Sequence, residues 1–261
     1  MDVLQGEENL TLNRRVKILN LIEEQDHIQI VKLSKLFNVS EVTIRNDLSH
    51  LEQKGLLIRT RGGAIKQQRV GLDFRLSEKA SQHYAEKQRI GKKAREFVNN
   101  GDTIILDSGT TTLEISKNLT DFEELTVITN AINIAGHLAD LNNIKVVVPG
   151  GFLRENSLSL VGTTAEDSLK NFYCDKVFMG VDGIDTSYGI STPNIEEAHF
   201  NRVMIEVANE LIVVADSSKF YRRSFAFIAP ISSISTLITD KNIPGEESNK
   251  LQTAGVKVIM V

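Results

Sequence analysis

Residues Val39–Ala64 read VSEVTIRNDLSHLEQKGLLIRTRGGA, and they decide how the rest of the chain is parsed. Asn38-Val39-Ser40 forms a turn, because Asn tolerates the left-handed region and Ser caps a helix start. From Glu41, the residues Ile44, Leu48 and Leu51 make one apolar stripe at helical spacing. Arg45, Asn46, Ser49, Glu52 and Gln53 lie off that stripe. Gly55 is placed to stop the helix. Leu56–Arg59 then reads as a strand, Arg61-Gly62-Gly63 as a tight turn and Ala64–Lys66 as the return strand.

Working upstream, Val16, Ile18, Leu19 and Ile22 predict an amphipathic helix over Asn13–Glu24. Ile28 and Ile30 alternate with Gln29, which suits a brief strand. Val31–Phe37 predicts a second helix with Leu33, Leu36 and Phe37 turned inward. Helix, strand, helix, turn, helix and hairpin in this order are the parts of a winged helix-turn-helix. The second helix of such a unit enters the major groove by its N-terminal turns. Arg45 suits guanine and Asn46 suits adenine, each through two hydrogen bonds. Ser40 and Thr43 suit phosphate or base edges near the helix start. Arg59, Arg61 and Lys66 lie on the hairpin, where a wing follows the DNA backbone or minor groove.

The net charge of −4 over 261 residues speaks against nucleic acid when taken alone. It is an average of opposites. Residues 9–69 carry 11 Lys and Arg against 6 Asp and Glu, whereas residues 70–261 carry 19 against 25. A basic head and an acidic body suggest two modules with different partners. No run is apolar enough for a membrane helix, and MDVLQGEENLTLNRR has no apolar core for a secretory signal. The single cysteine, Cys174, excludes an internal disulfide. The expected location is the cytoplasm, with no membrane partner.

Downstream of Gly101 the period changes. Short apolar runs recur at Thr103–Leu106, Thr126–Thr129, Lys145–Val148, Lys176–Met179, Leu211–Ala215, Thr236–Ile238 and Val256–Met260. Most are separated by amphipathic helical stretches. Apolar strands alternating with helices predict a parallel sheet buried on both faces. Between the halves, Tyr84–Asn99 predicts a helix, and residues 67–84 read as a polar, irregular linker. The expected domains are 1–67 for DNA binding, 68–84 as linker and 85–261 for effector binding and oligomerisation.

Ligands of open α/β sheets bind at the carboxyl ends of the strands. The residues after the first strand are Asp107, Ser108, Gly109, Thr110, Thr111 and Thr112, where hydroxyls and helix-start amides make an anion cradle. Asn130 follows the second strand, and Gly150 and Gly151 follow the third. Asp182, Gly183 and Asp185 follow the fourth, and Asp216 and Lys219 follow the fifth. This set implies a ligand with a phosphate, held by the threonine loop and Lys219, and hydroxyls, held by Asp182 and its neighbours.

Residues 13–64 resemble the N-terminal domain of the DeoR family of bacterial transcription regulators. The match rests on Arg14, Leu33, Phe37, Val39-Ser40, Thr43-Ile44-Arg45, Asp47-Leu48, Leu51, Gly55, Arg59 and Gly62-Gly63-Ala64. Asn46 stands where the family often has a second Arg, and Arg61 where it often has His; both keep hydrogen-bonding capacity. Residues 86–240 resemble the family's effector domain through Glu86-Lys87, Leu106–Thr112, Thr129-Asn130, Gly150-Gly151, Gly180–Asp185 and Asp216–Phe220. LDSGTTT, TNAINIA, GVDGID, NRVMIEVA and VVADSSKF look closest to AgaR-type regulators of amino-sugar use. The resemblance implies an α/β fold with an N-terminal winged helix-turn-helix and a C-terminal Rossmann-like parallel-sheet domain similar to ribose-5-phosphate isomerase. It implies a repressor of a sugar or amino-sugar catabolic operon. A homo-oligomer, dimer or tetramer, would bind a double-stranded operator. A phosphorylated sugar in the C-terminal domain would release it, with the linker transmitting the change.

The rival expectation is a sugar-phosphate isomerase. Isomerisation needs a carboxylate base between two sugar carbons. The isomerases carry an Asp-Gly-Ala-Asp-Glu run where this chain reads Met179-Gly180-Val181-Asp182-Gly183. Glu196 and Glu197 remain as candidate bases, although acids at a helix start are favoured anyway. His27, His50, His83, His137 and His199 lack metal spacing, and no dinucleotide or P-loop motif occurs. No catalytic residue, metal or cofactor is expected.

Overall fold

The computed structural model describes residues 2–25, 27–54, 56–60, 62–66 and 73–261; the side chains of residues 2–10, 12, 23, 24 and 66 lie outside this description. The chain divides into two compact units, Met1–Arg69 and Val70–Val261.

The first unit runs α1 (Asp2–Gln25), β1 (His27–Gln29), α2 (Ile30–Phe37), α3 (Glu41–Gln53), β2 (Leu57–Thr60) and β3 (Gly63–Lys66). The strands form an antiparallel sheet in the order β1-β3-β2. Ile18, Ile22, Ile28, Leu33, Ile44, Leu48, Leu51 and Leu57 share one buried cluster. Asn38 takes the left-handed conformation at φ 51° and ends α2. The Ser40 hydroxyl caps α3 by accepting from the Thr43 N–H at 3.1 Å.

Several expectations need correction. The first helix begins at Asp2 rather than Asn13, and Ile30 opens α2 instead of continuing the strand. Val16 is exposed, because the inward stripe is carried by Ile18 and Ile22. Leu36 is 58% exposed. The inward face of α2 runs through Ile30, Leu33 and Phe37, and Leu36 lies roughly a quarter-turn from its centre. Gly55 lies outside the described residues.

Asp47 joins α3 to α1. Its buried carboxylate accepts from Arg14 Nε at 2.5 Å and from Arg15 Nε at 2.8 Å. Two partners spread over two oxygens give the buried charge the compensation it requires.

The second unit opens with α4 (Leu76–Ser81) and α5 (Tyr84–Arg95). It continues through β4 (Thr103–Leu106), α6 (Thr110–Ser116), β5 (Leu125–Thr129), α7 (Ile132–Ala139), β6 (Ile144–Val147), β7 (Phe152–Arg154), β8 (Ser159–Val161) and α8 (Thr163–Leu169). After these come β9 (Cys174–Met179), β10 (Gly183–Asp185), β11 (Gly189–Thr192), α9 (Ile195–Glu206), β12 (Ala208–Val214), β13 (Ala226–Ala229), β14 (Thr236–Thr239), α10 (Gly245–Thr253) and β15 (Lys257–Met260). The seven runs read from sequence are the strands of one parallel sheet, ordered β15-β14-β12-β9-β4-β5-β6. Successive side chains face opposite layers: Ile104 and Leu106 join one core cluster and Ile105 the other. β10, β11 and β13 form a small antiparallel sheet, and β7 pairs with β8 as a hairpin.

From β4 the chain moves outward through β5 and β6; from β9 it moves the opposite way through β12, β14 and β15. The β4/β9 boundary is therefore the switch point of the sheet, where a crevice opens beyond the strand ends.

The stretch read as irregular linker contains α4, and residues from Asp73 onward pack within the second unit. The helix buries no side chain. It leaves no apolar period in the sequence for a reader to detect, because polar contacts hold it.

Candidate functional site

In the first unit, Arg45 and Asn46 are exposed on α3. Arg45 Nη2 donates to Glu41 Oε2 at 2.7 Å, an exposed pair one turn apart. Ser40 and Thr43 share a hydroxyl contact at 2.9 Å at the start of the helix. Arg59 is placed differently from a free wing residue. Its Nη1 donates to Ser49 Oγ at 2.5 Å and its backbone N–H donates to Glu52 Oε1 at 3.0 Å. These contacts brace the hairpin against α3. Arg61 and the Lys66 side chain lie outside the described residues.

In the second unit, a solvent-open cleft lies at the switch point. Asp107, Ser108, Gly109, Thr110 and Thr111 reach it from the end of β4, Asp182 from the end of β9 and Lys219 from beyond β12. Six residues singled out from sequence do not line it. Thr112 is buried, and its hydroxyl donates to the Gly109 carbonyl at 3.1 Å. Asn130, Gly150 and Gly151 follow β5 and β6, on the far side of β4 from the switch point. Asn130 is buried and donates to the Leu160 carbonyl at 3.1 Å. Gly151 has φ 112°, and a Cβ there would sit 2.6 Å from the Val161 carbonyl oxygen, so its role is a close turn. Gly183 allows the Arg222 carbonyl oxygen to within 2.6 Å of where a Cβ would be. Asp185 accepts from Arg223 Nε at 2.6 Å.

Sequence reasoning missed one entire wall. Asp73, Phe74, Leu76, Lys79, Gln82, His83 and Lys87 line the cleft from α4, α5 and the residues beside them. Asn156, Ser157, Thr192, Glu197 and Asn201 complete it from the other side, and Asp216 joins the strand ends. The available signal was Glu86-Lys87, noted as a matching pair without a position.

The charges are interlocked. Lys79 Nζ lies 2.8 Å from Asp182 Oδ1, and Lys219 Nζ lies 3.7 Å from the same oxygen. Burial pushes Asp182 up, but Lys79 and Lys219 outweigh it and hold the carboxyl below its ordinary range. Burial pulls Lys79 down, yet Asp182, with Glu197 and Asp73, leaves the ammonium above its usual value. Asp216 is raised by burial and lowered more by Lys219, a hydrogen bond from the Ser218 side chain, His83 and Lys87. Its Oδ2 is buried without a hydrogen-bond partner among the described residues. Burial pushes Asp107 well above the carboxylate range, and Glu197 adds to the shift; N–H groups of Ser108 and Gly180 oppose it. Burial pulls Lys87 down to about 8, with Lys219 and Lys79 adding to the effect against Asp216 and Asp182.

Glu197 is fully engaged. It pairs with Arg154 and accepts from Thr192 Oγ1 at 3.1 Å and Ser159 Oγ at 3.3 Å. Glu196, the other candidate base, is exposed and outside the lining. Cys174 is buried at the start of β9, where burial pushes the thiol up to about 11, far from a reactive thiolate at neutral pH. No cluster of three or more His, Cys, Asp or Glu among the described residues is arranged to hold a metal. No helix among them is long and apolar enough to cross a membrane.

A helix-turn-helix unit joined to an α/β unit with a polar cleft at its switch point defines a two-part regulator, with a DNA reader and a sensor. Residues 14–70 match the DeoR-like helix-turn-helix domain and residues 82–241 match the DeoR C terminal sensor domain. The chain belongs to the DeoR family of transcription regulators. It is 40% identical over 253 residues to a protein of Escherichia coli O157:H7 provisionally named as an aga operon transcriptional repressor, covering 96% of this chain and 94% of that one. It is 34% identical to the regulator GolR of Listeria innocua, over 94% of this chain and 96% of that one. Among solved structures, ribose 5-phosphate isomerase A of Methanocaldococcus jannaschii aligns with 53% of this chain and 55% of its own at 17% identity and a TM-score of 0.41.

Proposed function

We propose that the protein is a cytoplasmic repressor of a sugar or amino-sugar catabolic operon, released from a double-stranded operator by a phosphorylated sugar in the cleft. The observation that carries this reading is the composition of the cleft. Lys79, Lys87 and Lys219 supply cations, and the Ser108–Thr111 loop supplies hydroxyls, for a phosphate. Asp182 and Asp216 supply acceptors for sugar hydroxyls, and Asp107, shifted toward its protonated form, supplies a donor. The name of the Escherichia coli relative supports repression of an operon. The second unit carries an acidic balance, so phosphate selectivity rests on these local groups rather than on the general field. A homo-oligomer would set two α3 helices on two half-sites. The ligand would favour one arrangement of the sensor units and so shift the DNA-competent population.

The reading is tested by calorimetry with a panel of sugar phosphates, including galactosamine and tagatose phosphates, on parent and Lys219→Ala. The parent is expected to bind at least one member, and the variant to bind it at least ten-fold more weakly, as loss of a charged hydrogen bond of about 1.5–3 kcal/mol requires. Equal affinities would remove Lys219 from the phosphate site, and no binding across the panel would remove the ligand class.

Lys87 adds a pH signature. Its ammonium is present below about 8 and lost as the pH rises through that value. Affinity for the phosphorylated ligand is therefore expected to fall on the order of ten-fold between pH 7 and pH 9, a range over which the phosphate itself stays dianionic. Lys87→Arg, always charged, should flatten the profile. A flat profile in the parent would place Lys87 outside the anion contacts.

A further inference from the structure

Residues 73–83 form a strap along one wall of the cleft, at the start of the described part of the second unit. Its helix, α4, buries no side chain. Polar contacts tie it down. Asp73 accepts from Arg154 Nη2 at 2.5 Å and from Asn156 Nδ2 at 3.2 Å. The Leu76 N–H donates to the Asn156 carbonyl at 2.7 Å. Lys79 reaches Asp182, 103 residues away in sequence, and its carbonyl accepts from Lys87 Nζ at 2.5 Å. At the far end of the strap, His83 holds φ 51°, a left-handed joint between α4 and α5.

One of these ties ends on a group a ligand would use, and another reaches the cleft. Asp182 is shared by Lys79 at 2.8 Å and Lys219 at 3.7 Å. Arg154, which holds Asp73 of the strap, also pairs with Glu197 of the cleft. The Lys79–Asp182 pair remains about one-fifth exposed on each side, so it is not locked in a dry interior. A dianionic phosphate offers three acceptor oxygens and twice the charge of one carboxylate, and it competes well for an ammonium already near the surface.

We propose that Lys79 is the ligand-responsive contact of the cleft. The phosphate of a bound sugar takes the Lys79 ammonium from Asp182, and Asp182 turns to a sugar hydroxyl. The strap is repositioned about His83. Because residues 73–83 lie between the reading unit and the sensor core in the chain, this exchange links occupancy of the cleft to the DNA reader. The inference rests on the reading of the cleft as a sugar-phosphate site, and it adds the residue through which that site is coupled.

Hydrogen-exchange mass spectrometry on the full chain tests it in two arms. In the first, no ligand is added. Asp182→Asn and Lys79→Met should each speed amide exchange in residues 76–82 at least ten-fold and leave β4 and β9 unchanged. The exchanged pair, Lys79→Asp with Asp182→Lys, should restore protection to within about three-fold of the parent. Unchanged exchange in the single variants, or no restoration in the pair, overturns the latch. Should Asp182→Asn fail to fold, Lys79→Met and the exchanged pair carry this arm. In the second arm, inorganic phosphate is the probe. It should alter strap exchange in the parent and leave the exchanged pair, which has an acid at position 79, unresponsive. No change in the parent, or an equal change in both, overturns the coupling. Failure of every sugar phosphate to bind would refute the ligand class and leave the first arm standing, so the two failures are distinguishable.

Discussion

Alanine at position 63 is expected to cost the reading unit its DNA binding. A Cβ on Gly63 would lie 1.9 Å from the Ile28 carbonyl oxygen, 2.9 Å from the Ile28 carbonyl carbon and 3.0 Å from Gln29 Cα. All three are backbone atoms of β1, the strand that pairs with β3, so no side-chain rotation relieves the overlap. Overpacking of this kind costs typically 1–3 kcal/mol and more when the backbone must move. The cluster it would disturb holds ten buried residues among those described, from Ile18 to Ala64, and a small core has little stability to lose. Gly62 is the built-in control, since nothing among the described residues lies within 4 Å of a Cβ there. Thermal melts and gel shifts of the two variants check the expectation. Gly62→Ala should follow the parent, and Gly63→Ala should melt earlier and lose its shifted band. A parental melt and affinity for Gly63→Ala would contradict the close approach of β3 to β1.

Arg45→Ala is expected to weaken binding to a duplex selected by the parent from a random library by roughly 5- to 150-fold, the 1–3 kcal/mol of a good bidentate contact to a base. Base preference should relax at one position of each half-site. Arg45 starts out paired with Glu41, but that pair is exposed and one helical turn apart, so exchanging it for a guanine edge costs little. Affinity for the sugar phosphate should not move. Unchanged duplex affinity and unchanged base preference would remove α3 from the role of reading helix.

The reading unit was largely legible because its signals are local. Ser40 caps α3, Asn38 turns left-handed, and the stripe Ile44, Leu48 and Leu51 is buried, all from residues within one or two turns of each other. Errors came where two stripes competed. Val16 and Leu36 are apolar and near the right spacing, and only the partners of α1 and α2 decide which face turns inward. Arg59 looked like a free wing cation, and the structure ties it to Ser49 and Glu52 of α3. Half of the paired Gly62-Gly63 requirement was visible as a turn; that Gly63 alone abuts β1 was not.

For the sensor unit, the seven apolar runs determined by themselves that a parallel sheet forms, because each run is short and rich in Val and Ile and most are separated by helical stretches. They also placed glycines, hydroxyls and carboxylates at the strand ends. Strand order was beyond them. Pairing partners are set by contacts between residues far apart in the chain, and a run of Val and Ile fits any neighbour in a buried sheet. The order β12-β9-β4-β5-β6 sets the ends of β4, β9 and β12 around one cleft and leaves Asn130, Gly150 and Gly151 outside it. The same holds for the wall formed by residues 73–87. Polar side chains without periodicity read as linker, and only the tertiary structure brings Lys79 to Asp182 and Asp73 to Arg154. What the sequence determined is which elements form, since propensity and burial period are local; which of their ends meet was decided by the fold, since that depends on pairings the local pattern does not encode.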